Sequence, residues 1–241
     1  MTVHAHNGAD TDGKAINGAI GLGTVVTTRA AAKVLSAPAG ANGETVIVSH
    51  GDAARAKAAA RKLATAGARA ILSFGPAVGL APVLRPGELV VAECVVLPTG
   101  ETIATHEAWR DALAARLGSL EVGVTVARLA GRDRLASSAK EKHGLFRSTF
   151  AAALDTESHV IAEVAADAGV PFLAVRAVAD PAEQNRPSAA QAHAYQASAL
   201  GCLTRPWELP ALWQFSKSGR AAFASLRQVA ELGRSPLAPG G

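Results

Sequence analysis

Two groups of acidic residues, each directly after an apolar segment, are the residues of this sequence best suited to chemistry. Asp155-Thr156-Glu157-Ser158-His159 follows a short apolar segment, and Asp180 ends the longer segment VPFLAVRAVAD. If these segments are strands of a sheet flanked by helices, ligands bind just beyond their carboxyl ends. Carboxylates of the first group can accept the two hydroxyls of a vicinal diol. Asp180 is a candidate general acid, because partial burial raises a carboxyl pKa toward neutrality.

Each group also has a structural interpretation, and spacing alone leaves the choice open. Asp155 or Thr156 would cap the helix that follows, where Glu157 is favoured by the helix dipole. His159 would lie on that helix as a core, surface or ligand-binding histidine. Asp180 would cap whichever element comes next.

Two further segments end apolar runs and are candidates for binding. In residues 73–81, SFGPAVGLA, Gly75 and Gly79 let a ligand approach backbone N–H groups that bind anions or sugar oxygens. A tight connection between strands is the alternative there. His50, in the segment Ser49-His50-Gly51-Asp52, either contacts a ligand or lies in a turn that ends with Asp52 as a helix cap. The spacing of histidines and cysteines matches no metal site, so no metal is expected.

Alternating strand and helix signals predict the elements that position these residues. Strands are predicted over residues 15–26, 44–49, 69–74, 89–97, 122–129, 151–154 and 170–178, with a glycine-rich turn over 75–80. Helices are predicted over residues 29–35, 52–66, 107–117, part of 139–150, 157–168 and within 188–232. This alternation is typical of a single α/β domain, here a three-layer α/β/α sandwich with a central mixed sheet. The domain is expected over residues 15–235, between a flexible leader (1–14) and a loose tail (236–241).

Composition and charge argue against several classes of function. Hydrophobic residues make up 49% of the 241, enough for a core, yet no segment reaches the roughly 18 apolar residues of a membrane-spanning helix. The 24 lysines and arginines never form a run of five, so no nucleic-acid partner is expected. Cys94 and Cys202 lie far apart and outside any ligand-spaced pattern, which favours the reducing cytoplasm.

Two sequence segments resemble signatures of the nucleoside phosphorylase and nucleosidase superfamily. Residues 73–96, SFGPAVGLAPVLRPGELVVAECVV, resemble its glycine-rich loop and following strand. Residues 154–180, LDTESHVIAEVAADAGVPFLAVRAVAD, resemble Asp-Met-Glu-Ser followed by a helix, a strand and Arg-Ala-x-x-Asp. The similarity covers roughly residues 44–185. Within the superfamily, Glu157-Ser158-His159 and residues 204–226, TRPWELPALWQFSKSGRAAFASL, are most similar to the hopanoid-associated phosphorylases.

The resemblance implies a nucleoside-phosphorylase-like fold and cleavage of the N-glycosidic bond of adenosylhopane, with release of adenine in hopanoid lipid synthesis. It implies that Glu157 binds the ribose hydroxyls and that Asp180 protonates or hydrogen-bonds the purine at N7. The remaining substrate contacts would come from Gly75, Ala77, Leu135, Ala136, Thr156 and His159. Inorganic phosphate would be the co-substrate, held weakly by Arg29 and Gly75, and no cofactor is expected.

Three departures from the superfamily pattern leave the reaction open. Pro76 stands where relatives commonly carry a serine that helps to hold phosphate or water, and proline offers neither a hydroxyl nor an N–H. Thr27-Thr28-Arg29 lacks the carboxylate that nucleosidases use there to activate water. Thr156 replaces the methionine that packs beneath the ribose. Hydrolysis of an adenosine thioether, or binding without catalysis, are therefore the alternatives.

The C-terminal region concentrates large apolar side chains: Trp207, Leu209, Leu212, Trp213 and Phe215. Such a cluster suits a lipid-modified substrate or a membrane surface. Packing of a helix on the domain or on a partner subunit is the alternative. The resemblance implies a homo-oligomer in the cytoplasm, in peripheral contact with the inner face of the membrane.

Overall fold

The computed structural model describes residues 8–9, 15–16, 20–35, 44–187 and 209–232. The strands are β1 (Gly8–Ala9), β2 (Ala15–Ile16), β3 (Gly23–Val26), β4 (Thr45–Val48), β5 (Ile71–Gly79), β6 (Leu89–Val96), β7 (Thr102–Ala104), β8 (Val124–Gly131), β9 (Ala153–Asp155) and β10 (Phe172–Asp180). The helices are α1 (Arg29–Leu35), α2 (Ala53–Thr65), α3 (Glu107–Leu117), α4 (Ala139–Thr149), α5 (Ser158–Asp167) and α6 (Leu209–Glu231). The predicted tail, and the predicted leader apart from β1, lie outside the described residues.

Strands β3 to β10 form one mixed sheet, in which β5 has the central place. It pairs in parallel with β3 and β10, and its last two residues pair antiparallel with β9. From β10 the pairing continues through β6 and β8 back to β9, so that β5, β10, β6, β8 and β9 close into a ring. Strand β4 extends the sheet beyond β3, and β7 pairs with β6. The two short strands β1 and β2 pair with each other.

Helices cover both faces of this sheet. On one face, α2 and α5 pack their alanines and leucines against the strands, as at Leu63 and Ile161. On the other face, α1, α3 and α6 contribute a second apolar cluster that includes Trp109 and Leu226. Many of the buried residues are alanines, which lets helix backbones lie close to the sheet. The predicted α/β class, with a central mixed sheet between helices, is confirmed.

Local sequence signals account for several element boundaries. The Asp52 carboxylate accepts a hydrogen bond of 2.8 Å from the Arg55 N–H and so caps α2, as predicted. Gly67, with φ of +80°, follows the end of that helix in a conformation that suits glycine. Helices α1 and α3 have the predicted bounds.

The predicted glycine-rich turn over residues 75–80 is wrong, because β5 continues through Gly79. Every residue of β5 is buried, so the segment gains more from the ladder and from packing than from a turn. A side chain at Gly75 is excluded by its neighbour, since a Cβ there would lie 2.7 Å from Thr27 Oγ1. The predicted long first strand is also wrong, because it is divided between β2 and β3. Strand β7 was not predicted.

Exchange of two glycines for alanine tests the packing at the end of β8. A Cβ at Gly131 would lie 2.4 Å from the Cβ of His159, so we expect Gly131→Ala to lower the free energy of unfolding by about 1–3 kcal/mol. Gly144 lies within α4 and has open space around its Cα. We expect Gly144→Ala to raise the same quantity by about 0.5–1 kcal/mol. Urea unfolding of both variants measures the two changes, and equal effects would contradict this packing.

Candidate functional site

Glu157 lies buried at the carboxyl ends of β3 and β4. Its Oε1 and the Ser49 hydroxyl form a hydrogen bond, and the Ser49 Oγ also lies 2.9 Å from the Val26 carbonyl oxygen. The Ser49 hydroxyl donates to Glu157 Oε1 or to the Val26 carbonyl, since it has one proton to give. Burial raises the pKa of Glu157 against the opposing effects of the Ser49 and Thr27 hydroxyls and the Arg176 charge. Burial is therefore the main influence on the Glu157 carboxyl group, and the Ser49 hydroxyl partly offsets it.

Asp155 and Arg176 form a buried ion pair that fixes the start of α5. The Arg176 Nε donates to Asp155 Oδ2, and its Nη2 donates to the hydroxyls of Ser73 (2.5 Å) and Ser158 (2.8 Å). The other oxygen of Asp155 accepts the backbone N–H groups of Glu157 (3.0 Å) and Ser158 (2.8 Å). Burial acts to raise the pKa of Asp155, but Arg176 and these hydrogen bonds outweigh it and hold that pKa below its ordinary value.

The residues of the acidic cluster make different contacts in this network. Asp155 caps α5, which is one of the two structural interpretations that the sequence left open. The Thr156 hydroxyl instead donates to the Gly51 carbonyl at 3.3 Å. Glu157 makes no capping hydrogen bond with its side chain, although it stands at the N-cap position. Its carboxyl group is turned toward Ser49 and the neighbouring strand ends.

Asp180, the last residue of β10, is fully buried beside two cations. The Lys142 ammonium donates to Asp180 Oδ1 at 2.6 Å, and the Arg186 Nε lies 3.7 Å from Oδ2. Among the described residues, Oδ2 has no hydrogen-bond partner. Burial raises the pKa of Asp180, and the charges of Lys142 and Arg186 oppose that increase without cancelling it. A carboxyl group in this setting stays protonated to a higher pH than an ordinary aspartate.

The register of β5 relates the two acids. Val78 pairs with Asp180 on one side and with Leu154 on the other. Strand β9 is antiparallel to β5, so the chain beyond Leu154 runs back toward the level of Gly75, where Glu157 meets the loop after β4. Gly75 and Val78 are about 10 Å apart along the strand. Both acids thus belong to the same end of the sheet.

The other predicted site residues occupy several positions around this end. Leu135 and Ala136 belong to the apolar cluster that includes Val78, the strand partner of Asp180. Gly75 lies against Thr27, and so against the segment that carries Arg29, whose own side chain is exposed at the start of α1. The predicted contact of Ala77 is limited to its backbone, because its side chain packs in the core.

His159 lies on α5 and is buried, with its Nε2 3.6 Å from Asp133 Oδ1. Its Nδ1 has no hydrogen-bond partner among the described residues.

Sequence reasoning missed several residues that contact the two acids. Ser49 and Arg176 stood within the segments singled out but received no role, and Lys142 and Arg186 were not considered. The Arg-Ala-x-x-Asp signature could have drawn attention to Arg176 as a partner for an acid. Lys142 had no such signal, because a lysine in a polar helical segment is normally exposed.

Removal of Arg176 tests the network around Asp155. We expect Arg176→Met to lower the free energy of unfolding by about 3–5 kcal/mol at pH 7, since it leaves a buried carboxylate without its cation. Because the pKa of Asp155 is lowered in the folded protein, its contribution is present at neutral pH and is lost as pH falls through the acidic range. The difference between variant and wild type should therefore shrink in acid. Urea unfolding at a series of pH values measures it, with Lys57→Met, in a half-exposed pair with Glu163, as the control.

Comparisons with known proteins agree with this architecture. The 5′-methylthioadenosine/S-adenosylhomocysteine nucleosidase from Neisseria meningitidis has a TM-score of 0.68 at 16% identity, over 89% of this chain and 98% of that one. The futalosine hydrolase of Helicobacter pylori strain 26695 has a TM-score of 0.66 at 18% identity, also over 89% and 98%. These identities establish a shared fold alone. A search of curated proteins finds no match.

A family model described as the phosphorylase superfamily matches residues 23–202. This match spans the strands that carry Glu157 and Asp180 and includes both segments whose resemblance was noted in the sequence. The chain belongs to the phosphorylase superfamily.

Proposed function

We propose that this protein cleaves the N-glycosidic bond of a purine nucleoside, with Glu157 on the ribose hydroxyls and Asp180 as the acid at N7 of the base. The observation that carries the proposal is the Asp180 carboxyl group. It is buried, its pKa is raised, and one of its oxygens has no hydrogen-bond partner among the described residues. That oxygen is available to donate a proton to a base.

The proposed mechanism follows from these two carboxyl groups. Asp180 donates its proton to N7, which withdraws electrons from the glycosidic bond and lets the purine leave as a neutral base. The bond electrons go to the purine, and positive charge develops on the ribosyl ring. Glu157, as the carboxylate, accepts the ribose hydroxyls and stabilises that charge electrostatically. A nucleophile then adds to the anomeric carbon. Proton donation by a positioned acid typically contributes about 10²–10⁴-fold to the rate.

Phosphate is the proposed nucleophile. Thr27-Thr28-Arg29, which follows β3, contains no carboxylate to activate water, whereas the exposed Arg29 offers a cation to an anion. Gly75, which lies against Thr27 of this segment, is the second proposed contact for phosphate. Pro76 has no N–H to donate, so the polar groups of Thr27-Thr28-Arg29 would hold the phosphate. The protein would then act as a pentosyltransferase that uses inorganic phosphate and no cofactor.

The proposed substrate is adenosylhopane, on the resemblance of Glu157-Ser158-His159 and residues 204–226 to the hopanoid-associated phosphorylases. In α6, Leu212 and Phe215 are buried, which supports packing of this helix on the domain. Trp213 is 64% exposed, and Lys217 lies 5.6 Å from the centre of its ring. An exposed aromatic beside a cation supports peripheral contact with a lipid surface. Trp207 and the side chain of Leu209 lie outside the described residues. A homo-oligomer at the cytoplasmic face of the membrane is part of this proposal.

No helix among the described residues is both long enough and apolar enough to span a bilayer.

A second candidate is hydrolysis of an adenosine thioether. It is favoured by the similarity in fold to the 5′-methylthioadenosine/S-adenosylhomocysteine nucleosidases. Binding of a nucleoside without turnover is a third candidate. The ion pair of Asp180 with Lys142 favours this candidate, because a neighbouring cation stabilises the carboxylate form, which has no proton to donate.

Release of adenine by the full chain distinguishes these candidates. We expect adenine from adenosylhopane only when phosphate is added, because the segment Thr27-Thr28-Arg29 contains no carboxylate to activate water. Adenine release from 5′-methylthioadenosine without phosphate would instead establish the hydrolase. Tight binding of adenine with no release from either substrate would exclude both enzymes. Chromatography of the reaction mixtures measures free adenine.

Substitution of the two acids tests their roles. We expect Asp180→Asn to lower kcat by about 10²–10⁴-fold, because an amide cannot donate the proton. Glu157→Gln should raise KM and lower kcat, because the amide stabilises neither the ribose hydroxyls nor the developing charge as a carboxylate does. Asp167→Asn changes an exposed aspartate at the end of α5 and should leave both constants unchanged. Full activity in Asp180→Asn would refute the assignment of the acid.

A further inference from the structure

Lys142 is a fully buried lysine on α4 whose ammonium group uses all three of its hydrogens. It donates to Asp180 Oδ1 at 2.6 Å, to the Pro181 carbonyl at 2.9 Å and to the Gln184 carbonyl at 2.7 Å. The side chain is inaccessible to solvent, as is that of Asp180. A single ammonium therefore fastens both the acid and the chain that follows it to α4.

These contacts leave the two oxygens of Asp180 in different situations. Oδ1 is held by Lys142, whereas Oδ2 has no hydrogen-bond partner among the described residues. Rotation of the carboxyl group would break the 2.6 Å contact and leave one N–H of the ammonium without an acceptor, at a cost that a buried cation makes high. The orientation of the carboxyl group is therefore fixed, with Oδ2 as the oxygen that remains for a ligand.

The fold alone gives little reason for an ion pair at this position. Removing two charges from water costs about as much as their attraction returns, so a buried pair adds little net stability over apolar side chains. Burial lowers the pKa of Lys142 even though Asp180 opposes that change. Keeping Lys142 charged beside Asp180 therefore costs desolvation free energy. Its effect on Asp180 gives a better reason for its presence than stability does.

We propose that Lys142 is a positioning residue for the reaction proposed above. It selects which oxygen of Asp180 faces the purine, and its charge sets the upper limit of pH at which that oxygen still carries a proton. This inference rests on the proposed function, because it assigns a role through the acid of that reaction.

The sign of the expected pH effect follows from the charges around Asp180. Lys142 and Arg186 both favour the carboxylate, and burial favours the neutral acid. Glu183 also faces the lysine, but it lies 2.9 Å from His143 and is largely exposed. Removal of the Lys142 charge leaves burial less opposed, so Asp180 will remain protonated to higher pH. Activity that needs the protonated acid will then decline at higher pH than in the wild type.

The kcat–pH profile of the full chain tests this role. For Lys142→Met we expect kcat to fall about tenfold or more, because the acid loses its orientation, with KM changed far less. The alkaline decline should move upward by about one pH unit or more. Lys142→Arg keeps the charge and should return the decline toward the wild-type pH. Lys57→Met, on the exposed side of α2, is the matched control and should change neither constant.

A merely structural role predicts a different result. Lys142→Met and Lys142→Gln would then lower the free energy of unfolding but leave the alkaline decline at its original pH, and this outcome overturns the inference. Lys142→Gln keeps two N–H donors and loses the charge, so it serves if the methionine variant does not fold. The double variant Lys142→Met/Asp180→Asn removes both charges and controls for folding.

A measurement without turnover separates failure of this inference from failure of the proposed function. Carbon-13 NMR of labelled aspartate follows the protonation of Asp180 directly, with Asp180→Asn to assign its resonance. We expect the titration to move upward in Lys142→Met and in Lys142→Gln. If the wild type releases no adenine, the proposed function fails while this titration still tests the effect of the lysine. An unchanged titration refutes the role of Lys142 whether or not the protein is active.

Discussion

The hydrogen-bonded ion pair of Arg176 and Asp155 is the interaction on which the geometry of the site depends. It joins the middle of β10 to the end of β9, and the Nη2 of the guanidinium donates to two buried serines. Because Asp155 also caps α5, the same pair determines where that helix begins. Glu157 stands one residue before the helix and inherits its position. Asp155 therefore positions the turn that carries Glu157.

The second acid is held by a different kind of interaction. Asp180 depends on a lysine from α4 and on the chain that follows β10, both of which lie outside the β9–α5 turn. Arg186 extends this arrangement to α6, since its guanidinium lies 5.4 Å from the centre of the Phe215 ring. Its backbone N–H donates to the Ser137 carbonyl at 2.8 Å, in the segment next to Leu135 and Ala136. The acid assigned to the base is therefore tied to the elements expected to line that base.

Local signals in the sequence predicted most elements, and long-range contacts explain what they missed. Asp52, the alanine-rich helices and the valine-rich strands carry their structure in their own spacing, and their bounds were right to within a few residues. The turn predicted at Gly75 failed because glycine and proline usually interrupt strands. Here both are accepted in β5, where Thr27 leaves no room for a side chain and neighbouring strands bury the segment on both sides. The closure of the sheet into a ring depends on pairing between distant strands that no local pattern specifies.

The candidate site shows the same division between local and long-range information. Glu157 and Asp180 were predicted as site residues because each follows an apolar segment within a recognisable signature. Lys142 was missed because its spacing in α4 resembles that of any solvent-facing lysine, and only the tertiary fold brings it to Asp180. The competition between capping and ligand binding at residues 155–157 could not be decided from spacing, because all three residue types suit both tasks. In the structure, the Asp155 side chain accepts the backbone N–H groups, and the Glu157 side chain makes no capping hydrogen bond.

The ring of strands also bears on how this protein would discriminate among ligands. Asp180 and the turn before α5 are joined through Val78, and none of the five ring strands ends in a free edge that could slide. The separation of the two carboxyl groups therefore depends on β-ladder geometry rather than on flexible loops. If both groups bind one ligand, as proposed, a ligand that is too short would not reach both of them, and the sheet would not move apart to admit a longer one. Recognition of the sugar and the base would then be strict. Only substituents that project away from the strand ends could vary among substrates.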